Sequence, residues 1–329
     1  FDITPDILHL VEKIGEVLGR WAALEMSDSP SLRRSNRIRT IQASLEIENN
    51  TFSLEQITAL LDGKRVLGSP REIQEVRNAF IAYDKMNQWQ ADSCDHLLEA
   101  HAVLMAGLLD HPGFFRTRGV GICRGENLVH MAPPCSQISR LMAELFYWLK
   151  SEQVSPLIVS CVFYYELEFI HPFVDGNGRV GRLWQTLILS QWKPVLAYLP
   201  VETVIRDRQA DYYQALVNSD HAANSTPFIE FMLQALLTAM EEMASTDQVT
   251  DQVTDQVKRL LYLLNTSQAF KATELMARLN LNHRQTFRMN YLKPALVAKL
   301  IEMTQPNSPR SPQQKYRLTP KGACLLKNL

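Results

Sequence analysis

The chain has 329 residues with a formal net charge of −1, and 46% of its residues are hydrophobic and 21% charged. This composition is typical of a soluble globular protein, and no apolar run approaches the about 18 to 20 residues that a membrane-spanning helix needs. The length favours one sizeable domain plus a smaller one, because single cores stop growing near roughly 250 to 300 residues.

The five cysteines stand at positions 94, 123, 135, 161 and 324. Their number is odd, and their spacing shows neither a CxxC pair nor a Cys/His metal motif, which argues against a disulfide framework and a zinc site. We therefore expect a reducing compartment, a cytoplasmic location and no membrane partner. The residue spacings also give no support to a metalloenzyme or a Ser/His/Asp hydrolase.

The charge is distributed unevenly along the chain. Residues 258–329 contain 13 Lys or Arg against two acidic residues, Glu274 and Glu302, which gives this segment a net charge of +11 and leaves −12 for the rest. A basic C-terminal module on an acidic body indicates two domains with different partners.

Most of the chain has a helical pattern, because apolar residues recur at spacings of three and four while alternating Val and Ile residues are scarce. Ser53 and Gln56 form a capping-box pattern, which predicts that a helix begins next to Ser53. The sequence therefore predicts a mainly α fold. The predicted helices cover residues 5–25, 35–48, 53–62, 70–90, 95–110, 136–150, 155–170, 177–191, 207–219 and 225–244.

Residues 113–134 break the helical pattern. Gly119, Gly121 and Gly125 stand beside short apolar pairs, and Pro133 and Pro134 end the segment. Glycines that alternate with short apolar pairs indicate a β-hairpin. We expect this hairpin to project from the helical body as a loop-borne ribbon.

A polar run lies between two apolar predicted helices: His171-Pro-Phe-Val-Asp-Gly-Asn-Gly-Arg-Val-Gly-Arg182. Its polar residues stand at a helix N-terminus, where unpaired N–H groups and the helix dipole favour an anion. Gly176 and Gly178 allow phosphate oxygens to approach the backbone closely, and Asn177 can bridge the loop and a ligand. The run therefore predicts a phosphate-binding site.

The charged side chains of this run suit phosphoryl-group chemistry. Arg179 and Arg182, three residues apart, lie on one helix face and can donate forked hydrogen bonds to phosphates. Asp175 is a hard carboxylate suited to Mg²⁺, and His171 titrates near neutrality and can accept a proton from a hydroxyl. Each residue alone has a structural explanation, but the complete set predicts a nucleotide-handling site.

The C-terminal segment begins with a Thr-Asp-Gln-Val unit that is repeated at positions 246, 250 and 254. We interpret residues 246–257 as a linker or a helical lead-in. Helices at 257–264, 272–279 and 282–298 follow, with strands near 300–304 and 316–319 joined by residues 305–314. This order predicts a winged-helix domain.

The run at 171–182 resembles the hallmark of the Fic (fido-fold) family, His-Pro-Phe-x-Asp/Glu-Gly-Asn-Gly-Arg-x-x-Arg, and every fixed position is present. Leu98-Glu-Ala-His101 and Gly113-Phe-Phe-Arg116 resemble the approach to the flap of that family. The resemblance covers roughly residues 30–245. It implies N-terminal helices at 1–110 and a helical catalytic core at 111–245 with a flap at 113–134. The winged helix predicted from the order of elements would occupy residues 258–329.

This resemblance implies a protein adenylyltransferase that moves AMP from Mg·ATP, its substrate, to a Ser, Thr or Tyr hydroxyl of a target protein and of itself. It makes His171 the general base and Asp175 the Mg²⁺ ligand. The intact Gly-Asn-Gly-Arg-x-x-Arg favours a nucleoside triphosphate. The implied nucleotide contacts are Gly176, Asn177, Gly178, Arg179, Val180, Gly181 and Arg182.

Two further sites follow from the resemblance. Tyr213 is a candidate for stacking on the adenine base, although Asp220 replaces an Asn that some relatives carry. The flap would pair with an extended target segment by strand addition. Its expected docking residues are Leu128, Val129, His130 and Met131.

Ser44, Glu48 and Asn49 resemble the family's inhibitory motif, Ser/Thr-x-x-x-Glu-Gly/Asn, on a helix predicted at about 35–49. Asn49 suits the left-handed conformation at a helix end. The resemblance implies that Glu48 pairs with Arg182 in the space that the γ-phosphate needs. The same glutamate can alternatively orient a water for removal of AMP, and the sequence leaves both directions open.

Several partners and activities stay open. Residues 282–288 with Arg310, Lys315 and Arg317 suit DNA phosphates and groove edges, but winged helices also serve in dimerisation, including homodimers, or in target docking. Transfer of another group, such as UMP, phosphate or phosphocholine, is one alternative activity. A nucleotide-sensing DNA-binding regulator is another.

Overall fold

The computed structural model describes the whole chain except residues 24–29, 120, 125–126, 252–254, 266–267, 282, 306–310, 312 and 328–329. At residues 23, 30–31, 121–124, 127–130, 245–251, 255, 297 and 327 it describes the backbone alone. The chain divides into two compact units, Phe1–Glu241 and Glu242–Leu329. This division lies a few residues before the predicted linker.

The first unit is helical apart from one hairpin. Two 3₁₀ turns, Met86–Gln88 and Pro194–Tyr198, connect longer elements. Its elements are α1 (Pro5–Ala23), α2 (Pro30–Ile47), α3 (Leu54–Leu61), α4 (Pro70–Lys85), α5 (Cys94–Leu104), β1 (Gly121–Arg124), β2 (Asn127–Met131), α6 (Cys135–Ser151), α7 (Pro156–Ile170), α8 (Asn177–Trp192), α9 (Val201–Asp207) and α10 (Gln209–Ala222), and α11 (Thr226–Asp251) continues past the division.

The second unit combines short helices with a three-stranded antiparallel sheet in the order β3-β5-β4. A buried apolar cluster of its own, which includes Leu260, Phe287 and Leu300, lies between the sheet and the helices. Its elements are α12 (Asp255–Leu264), β3 (Phe270–Lys271), α13 (Ala272–Arg278), α14 (Arg284–Phe287), α15 (Lys293–Val297), β4 (Ile301–Met303), β5 (Lys315–Leu318) and α16 (Pro320–Lys327).

The predicted fold class is confirmed: the chain is mainly α, with a hairpin at β1–β2 and a small C-terminal unit. The capping box is also present, since Ser53 Oγ accepts from the Gln56 N–H while Gln56 Oε1 accepts from the Ser53 N–H. The predicted start of the second helix near residue 35 is wrong. That helix begins at Pro30, a residue that fits the first turn of a helix.

Three elements were absent from the sequence prediction: α9, β3 and α16. They contain seven, two and eight residues. Segments of this length are too short to display a clear hydrophobic period, and packing decides their conformation. Among the described residues, no helix is both long and apolar enough to cross a membrane.

A π-helical turn, Arg288–Leu292, interrupts the helix predicted at 282–298. Pro294 follows this turn inside α15. Proline has no N–H to donate, and in a regular α-helix its ring would clash with the carbonyl four residues earlier. The wider π turn accommodates this conflict, so the predicted helix consists of three segments.

The α7–α8 pair forms the scaffold for the polar run. Nearly all of α7 is buried, as its apolar sequence predicts, and α8 packs against it. Gly181 makes this approach possible, because a Cβ at this position would lie 2.6 Å from two ring carbons of Tyr164. The loop between α7 and α8 therefore begins and ends on two rigid helices.

Gly181→Ala is expected to lower the free energy of unfolding of the first unit by about 1–3 kcal/mol, the usual cost of overpacking a core. Urea unfolding followed by tryptophan fluorescence measures this change, because all five tryptophans lie in that unit. Gly19→Ala on α1 is the matched control, since a Cβ there meets nothing within 4 Å. Equal effects of the two substitutions would refute the role of Gly181 in helix packing.

Candidate active site

His171 stands directly after α7 in the left-handed conformation, with φ 49°. Its backbone N–H donates to the Leu167 carbonyl and so completes the helix end. The side chain is 17% exposed, and Nδ1 lies 3.8 Å from Oε2 of Glu168 and 3.4 Å from the Glu168 carbonyl oxygen. The imidazole is thus largely buried beside a carboxylate but keeps access to the surface.

Arg116 joins the base of the hairpin to the His171 loop. Its buried guanidinium donates to the carbonyl oxygens of His171 at 2.7 Å, Arg118 at 2.8 Å and Pro133 at 2.6 Å. Its backbone N–H donates to the Pro172 carbonyl at 2.8 Å. One side chain therefore fixes both ends of the hairpin against the residues that precede α8.

His101 fixes the same loop from the side of α5. Its Nδ1 accepts from the Gly113 N–H at 2.8 Å, so Nε2 carries the proton and donates to the Asp175 carbonyl at 2.9 Å. The ring stacks on Phe173 with centroids 3.7 Å apart. Burial lowers the pKa of His101 to about 4, which keeps this neutral arrangement at physiological pH.

Asn177 is buried at the first position of α8. Its Oδ1 accepts from the Phe173 N–H at 2.9 Å, and its Nδ2 donates to the Phe173 carbonyl at 3.0 Å. Both ends of the amide therefore hold the loop closed. The structure gives Asn177 a bracing role, and its predicted contact with the nucleotide stays a prediction.

The N-terminal turn of α8 is suited to an anion. Gly176 precedes it with φ 87°, and the first N–H groups of a helix have no partner inside the helix. Arg179 is buried beside this turn, with NH2 2.9 Å from Asp175 Oδ1 and NH1 3.6 Å from Glu75 Oε1. Its buried Nε has no hydrogen-bond partner among the described residues. The turn thus offers several donors to an incoming polyphosphate.

Asp175 lies at the edge of this turn with its side chain 38% exposed. Oδ1 accepts from the Gly176 N–H at 2.6 Å, and Oδ2 lies 3.2 Å from Arg71 NH2. Among the described residues no group of three or more His, Cys, Asp or Glu side chains forms a metal site. Mg²⁺ commonly uses one or two carboxylates plus substrate phosphates, so one exposed carboxylate beside a phosphate site fits it.

Glu48 and Ser44, both at the end of α2, surround the Arg182 guanidinium. NH2 of Arg182 lies 2.7 Å from Glu48 Oε1 and 3.0 Å from the Ser44 carbonyl oxygen, and Nε donates to Ser44 Oγ at 2.9 Å. The Arg182 side chain is 1% exposed and that of Glu48 32%. The ion pair predicted from the sequence is therefore present.

The Glu48 carboxylate lies over the first turn of α8. Its Oε1 is 2.7 Å from the point that a Cβ on Gly178 would occupy. Burial disfavours the charged form of Arg182, but the adjacent Tyr164 and Glu48 raise the pKa of this guanidinium well above its ordinary value. A carboxylate thus neutralises a permanently charged, buried guanidinium at the helix N-terminus.

Backbone geometry at the end of α2 holds Glu48 in this position. The Asn50 N–H donates to the Leu45 carbonyl and the Asn49 N–H to the Glu46 carbonyl, a Schellman motif with Asn49 at φ 66°. The left-handed conformation expected for Asn49 is confirmed.

Two side chains continue this support. Asn50 donates through Nδ2 to Glu75 Oε2 at 2.9 Å, and Glu75 also faces Arg179. Gln209 on α10 donates to the Ile47 carbonyl, one of the last carbonyls of α2. The end of α2 is thus connected both to the phosphate-facing arginine and to α10.

Three other predicted site residues have packing roles here. The Val180 side chain is fully buried in the core, and Gly181 faces Tyr164. Tyr213 is half-buried, with its ring centroid 5.2 Å from that of Tyr212, and burial, then Glu48, raises its pKa. Val180 and Gly181 can therefore contact a nucleotide through their backbone atoms. The Tyr213 ring lies beside the Glu48–Arg182 pair.

The predicted docking edge of the flap lies on β2, which pairs with β1 alone among the residues that the structure describes. Met131 on this strand is 68% exposed. The side chains of Leu128, Val129 and His130 lie outside the described residues. Asp220, at the position where some relatives carry Asn, accepts a hydrogen bond from the Tyr165 hydroxyl at 2.8 Å.

Sequence reasoning missed two charged groups of the site, Glu75 and Glu168. Glu168 precedes His171 by three residues on a helix, a spacing that puts both on one face, so this signal was available. Glu75 comes from α4, which is distant in sequence, and no local pattern connects it to Arg179.

Comparisons with known proteins place this site in a family. Residues 92–189 match the Fic/DOC family, and residues 255–319 match the C-terminal domain of Filamentation induced by cAMP protein Fic-like. The chain is 31% identical over 242 residues to Protein adenylyltransferase fic-1 of Caenorhabditis briggsae, covering 68% of this chain and 44% of the relative. It thus spans less than half the length of this curated relative.

Solved structures extend the similarity along the chain. A Fic family protein from Desulfovibrio desulfuricans is 59% identical with a TM-score of 0.73, and the match covers 98% of each chain. A Fic domain containing signaling protein from Bacteroides thetaiotaomicron shares the fold at 18% identity and a TM-score of 0.59, covering 70% of this chain and 95% of that one. The chain therefore belongs to the Fic family.

Proposed function

We propose that this protein is an adenylyltransferase that moves AMP from Mg·ATP to a Ser, Thr or Tyr hydroxyl of a target protein and of itself. The observation that carries this proposal is that the guanidinium groups of Arg179 and Arg182 lie at the N-terminal turn of α8, while His171 begins the loop that leads into this turn. The similarity to proteins named Protein adenylyltransferase supports the same reaction class.

In the proposed reaction, the target hydroxyl oxygen bonds to the α-phosphorus while the bond from that phosphorus to the bridging oxygen breaks, and pyrophosphate leaves. The hydroxyl proton moves to His171. The first turn of α8 and Arg179 offset the charge on the phosphates. Asp175 would hold Mg²⁺, which supplies additional positive charge to the phosphates when bound.

We further propose that Glu48 inhibits this reaction. Its carboxylate is an anion on the same helix N-terminus and the same guanidinium that a γ-phosphate would need. While Glu48 stays there, ATP cannot place its γ-phosphate against Arg182. The α-phosphate then misses the in-line position in front of the hydroxyl.

Glu48→Gly is expected to raise self-adenylylation at least about tenfold, because a charge-assisted hydrogen bond contributes roughly 1.5–3 kcal/mol. Incorporation of label from α-³²P-ATP with Mg²⁺ measures this change. His171→Ala in the Glu48→Gly background should abolish incorporation while nucleotide binding is retained. Equal incorporation by wild type and Glu48→Gly would refute the inhibitory role.

The same experiment separates the alternative activities. Parallel incubations with labelled UTP, GTP and CTP measure the base preference, and cell lysate followed by mass spectrometry identifies the modified hydroxyls. A chain that only senses a nucleotide would bind ATP without incorporating label. Loss of label from a pre-modified target on addition of the wild type would indicate removal of AMP instead.

DNA contact is a second candidate function, favoured by the second unit. The helical segment after β3 and α13 buries Phe287 and Tyr291 and exposes Arg284, Arg288 and Lys293. An exposed basic face on the third helix of a winged-helix order suits a DNA groove.

The wing supports DNA contact with fewer basic side chains than the sequence predicted. Arg317 is paired with Glu302 at 2.6 Å, and Arg310 lies outside the described residues. Lys315 is exposed. The proposed contact with DNA thus depends mainly on the helical segment.

Replacing Arg284 and Arg288 by Ala is expected to weaken binding to a generic duplex. The plot of log K against log[salt] should become less steep by about 2, because each phosphate contact contributes roughly 0.9 to its slope. Fluorescence anisotropy over a salt series measures both. A double replacement of Arg20 and Arg140 on the first unit removes the same charge and should leave the slope unchanged. Absence of duplex binding at low salt would refute DNA contact.

A further inference from the structure

We propose that Glu168 is a positioning residue that orients His171 and conveys the state of the Glu48–Arg182 pair to this base. This inference rests on the proposed function, because it assigns a role within the same reaction. It adds a residue that lies outside the polar run at 171–182.

The Glu168 carboxylate lies beside the His171 ring. Both stand on one face at the end of α7, and Glu168 Oε2 lies 3.8 Å from His171 Nδ1. The Glu168 side chain is 11% exposed, so little solvent separates the two groups. A carboxylate at this ring nitrogen favours a proton on Nδ1 and leaves Nε2 to accept the hydroxyl proton, as in other acid–histidine pairs.

Glu168 also lies near the Glu48–Arg182 pair. Its other oxygen, Oε1, is 3.3 Å from the point that a Cβ on Gly178 would occupy. Glu48 Oε1 lies 2.7 Å and Arg182 NH1 3.0 Å from that same point. Glycine at this position thus allows two carboxylates and one guanidinium to meet over the first turn of α8.

The charges of Glu48 and Arg182 act on Glu168 in opposite directions. Burial raises the pKa of Glu168 to about 7, Arg182 lowers it, and Glu48 raises it further. With Glu48 in place, a large fraction of Glu168 is therefore neutral near pH 7. When Glu48 leaves, the positive charge of Arg182 acts on Glu168 without that opposition, and Glu168 ionises.

The other groups around this pair do not reverse the effect. The Arg116 guanidinium donates to the His171 carbonyl oxygen, and three tyrosine hydroxyls near Glu168 remain neutral because burial raises their pKa values. These hydroxyls belong to Tyr164 on α7 and to Tyr212 and Tyr213 on α10. Glu48 from α2 and Arg182 from α8 are therefore the charges that decide the protonation of Glu168.

Two consequences follow for regulation. Glu48 blocks the place of the γ-phosphate, and it also increases the protonated fraction of Glu168, so that His171 is a weaker and less oriented base. Release of Glu48 clears the place of the γ-phosphate and, in the nucleotide-free protein, lets Glu168 ionise. The inhibitory helix thus acts on binding and on proton transfer through one cluster of side chains.

NMR titration of the His171 ring in the nucleotide-free protein tests this connection without requiring transfer. In the Glu48→Gln background, where Glu168 is ionised, Glu168→Gln should lower the pKa of His171 by about one unit, the usual effect of losing a nearby opposite charge. Glu48→Gln should raise the pKa of His171, whereas simple removal of a negative charge would lower it. In the Glu168→Gln background this rise should disappear.

Kinetics give a second measurement in the Glu48→Gly background. Glu168→Gln should lower kcat on the order of tenfold to a hundredfold, leave KM for ATP within about twofold, and move the acidic limb of the kcat profile to lower pH. Glu166→Gln, two residues earlier on α7, is the matched control and should change none of these.

The outcomes separate this inference from the proposed function. An unchanged pKa of His171 when Glu168→Gln is added to Glu48→Gln, or activity of Glu168→Gln equal to that of Glu166→Gln, would overturn the role of Glu168 alone. If His171 titrates as expected but no variant incorporates AMP, the proposed function fails while the coupling of Glu168 to His171 stands.

Discussion

The structure depends on one buried cation, the guanidinium of Arg182. A charge that is almost completely removed from water needs an anion beside it, and breaking a buried pair from one side typically costs 3–5 kcal/mol. Glu48 and Ser44 supply that partner here. The Arg182 guanidinium lies over the first turn of α8. Any anion that pairs with it therefore also occupies the phosphate site at the N-terminus of this helix. A carboxylate and a polyphosphate therefore compete for one place.

Buried polar groups hold the surrounding loop in a single shape. Arg116 binds the carbonyls at both ends of the hairpin and that of His171, His101 bridges Gly113 and Asp175, and Asn177 closes the loop on Phe173. Each of these groups is satisfied by backbone atoms, so none needs a ligand to stay ordered. The base and the anion site are thus positioned before substrate arrives, which is how geometry contributes to catalysis.

Local patterns in the sequence predicted the features that are local in the structure. The helices, the capping box at Ser53, the left-handed Asn49 and the hairpin depend on neighbouring residues, and the motif at 171–182 is continuous. Contacts between distant segments were not predictable in the same way. The ion pair between Glu75 and Arg179 depends on where α4 lies relative to α8 in the folded chain, and the burial of Val180 depends on the orientation of α8.

The most direct test of this account compares ATP with ADP. In a His171→Ala background, which prevents turnover, calorimetry with Mg²⁺ gives the affinity of each nucleotide with Glu48 present or replaced by Gly. An ATP-to-ADP affinity ratio near one is expected with Glu48, and a ratio of at least about ten without it, the value of one charge-assisted hydrogen bond. The same ratio in both proteins would contradict the competition of Glu48 with the γ-phosphate for Arg182.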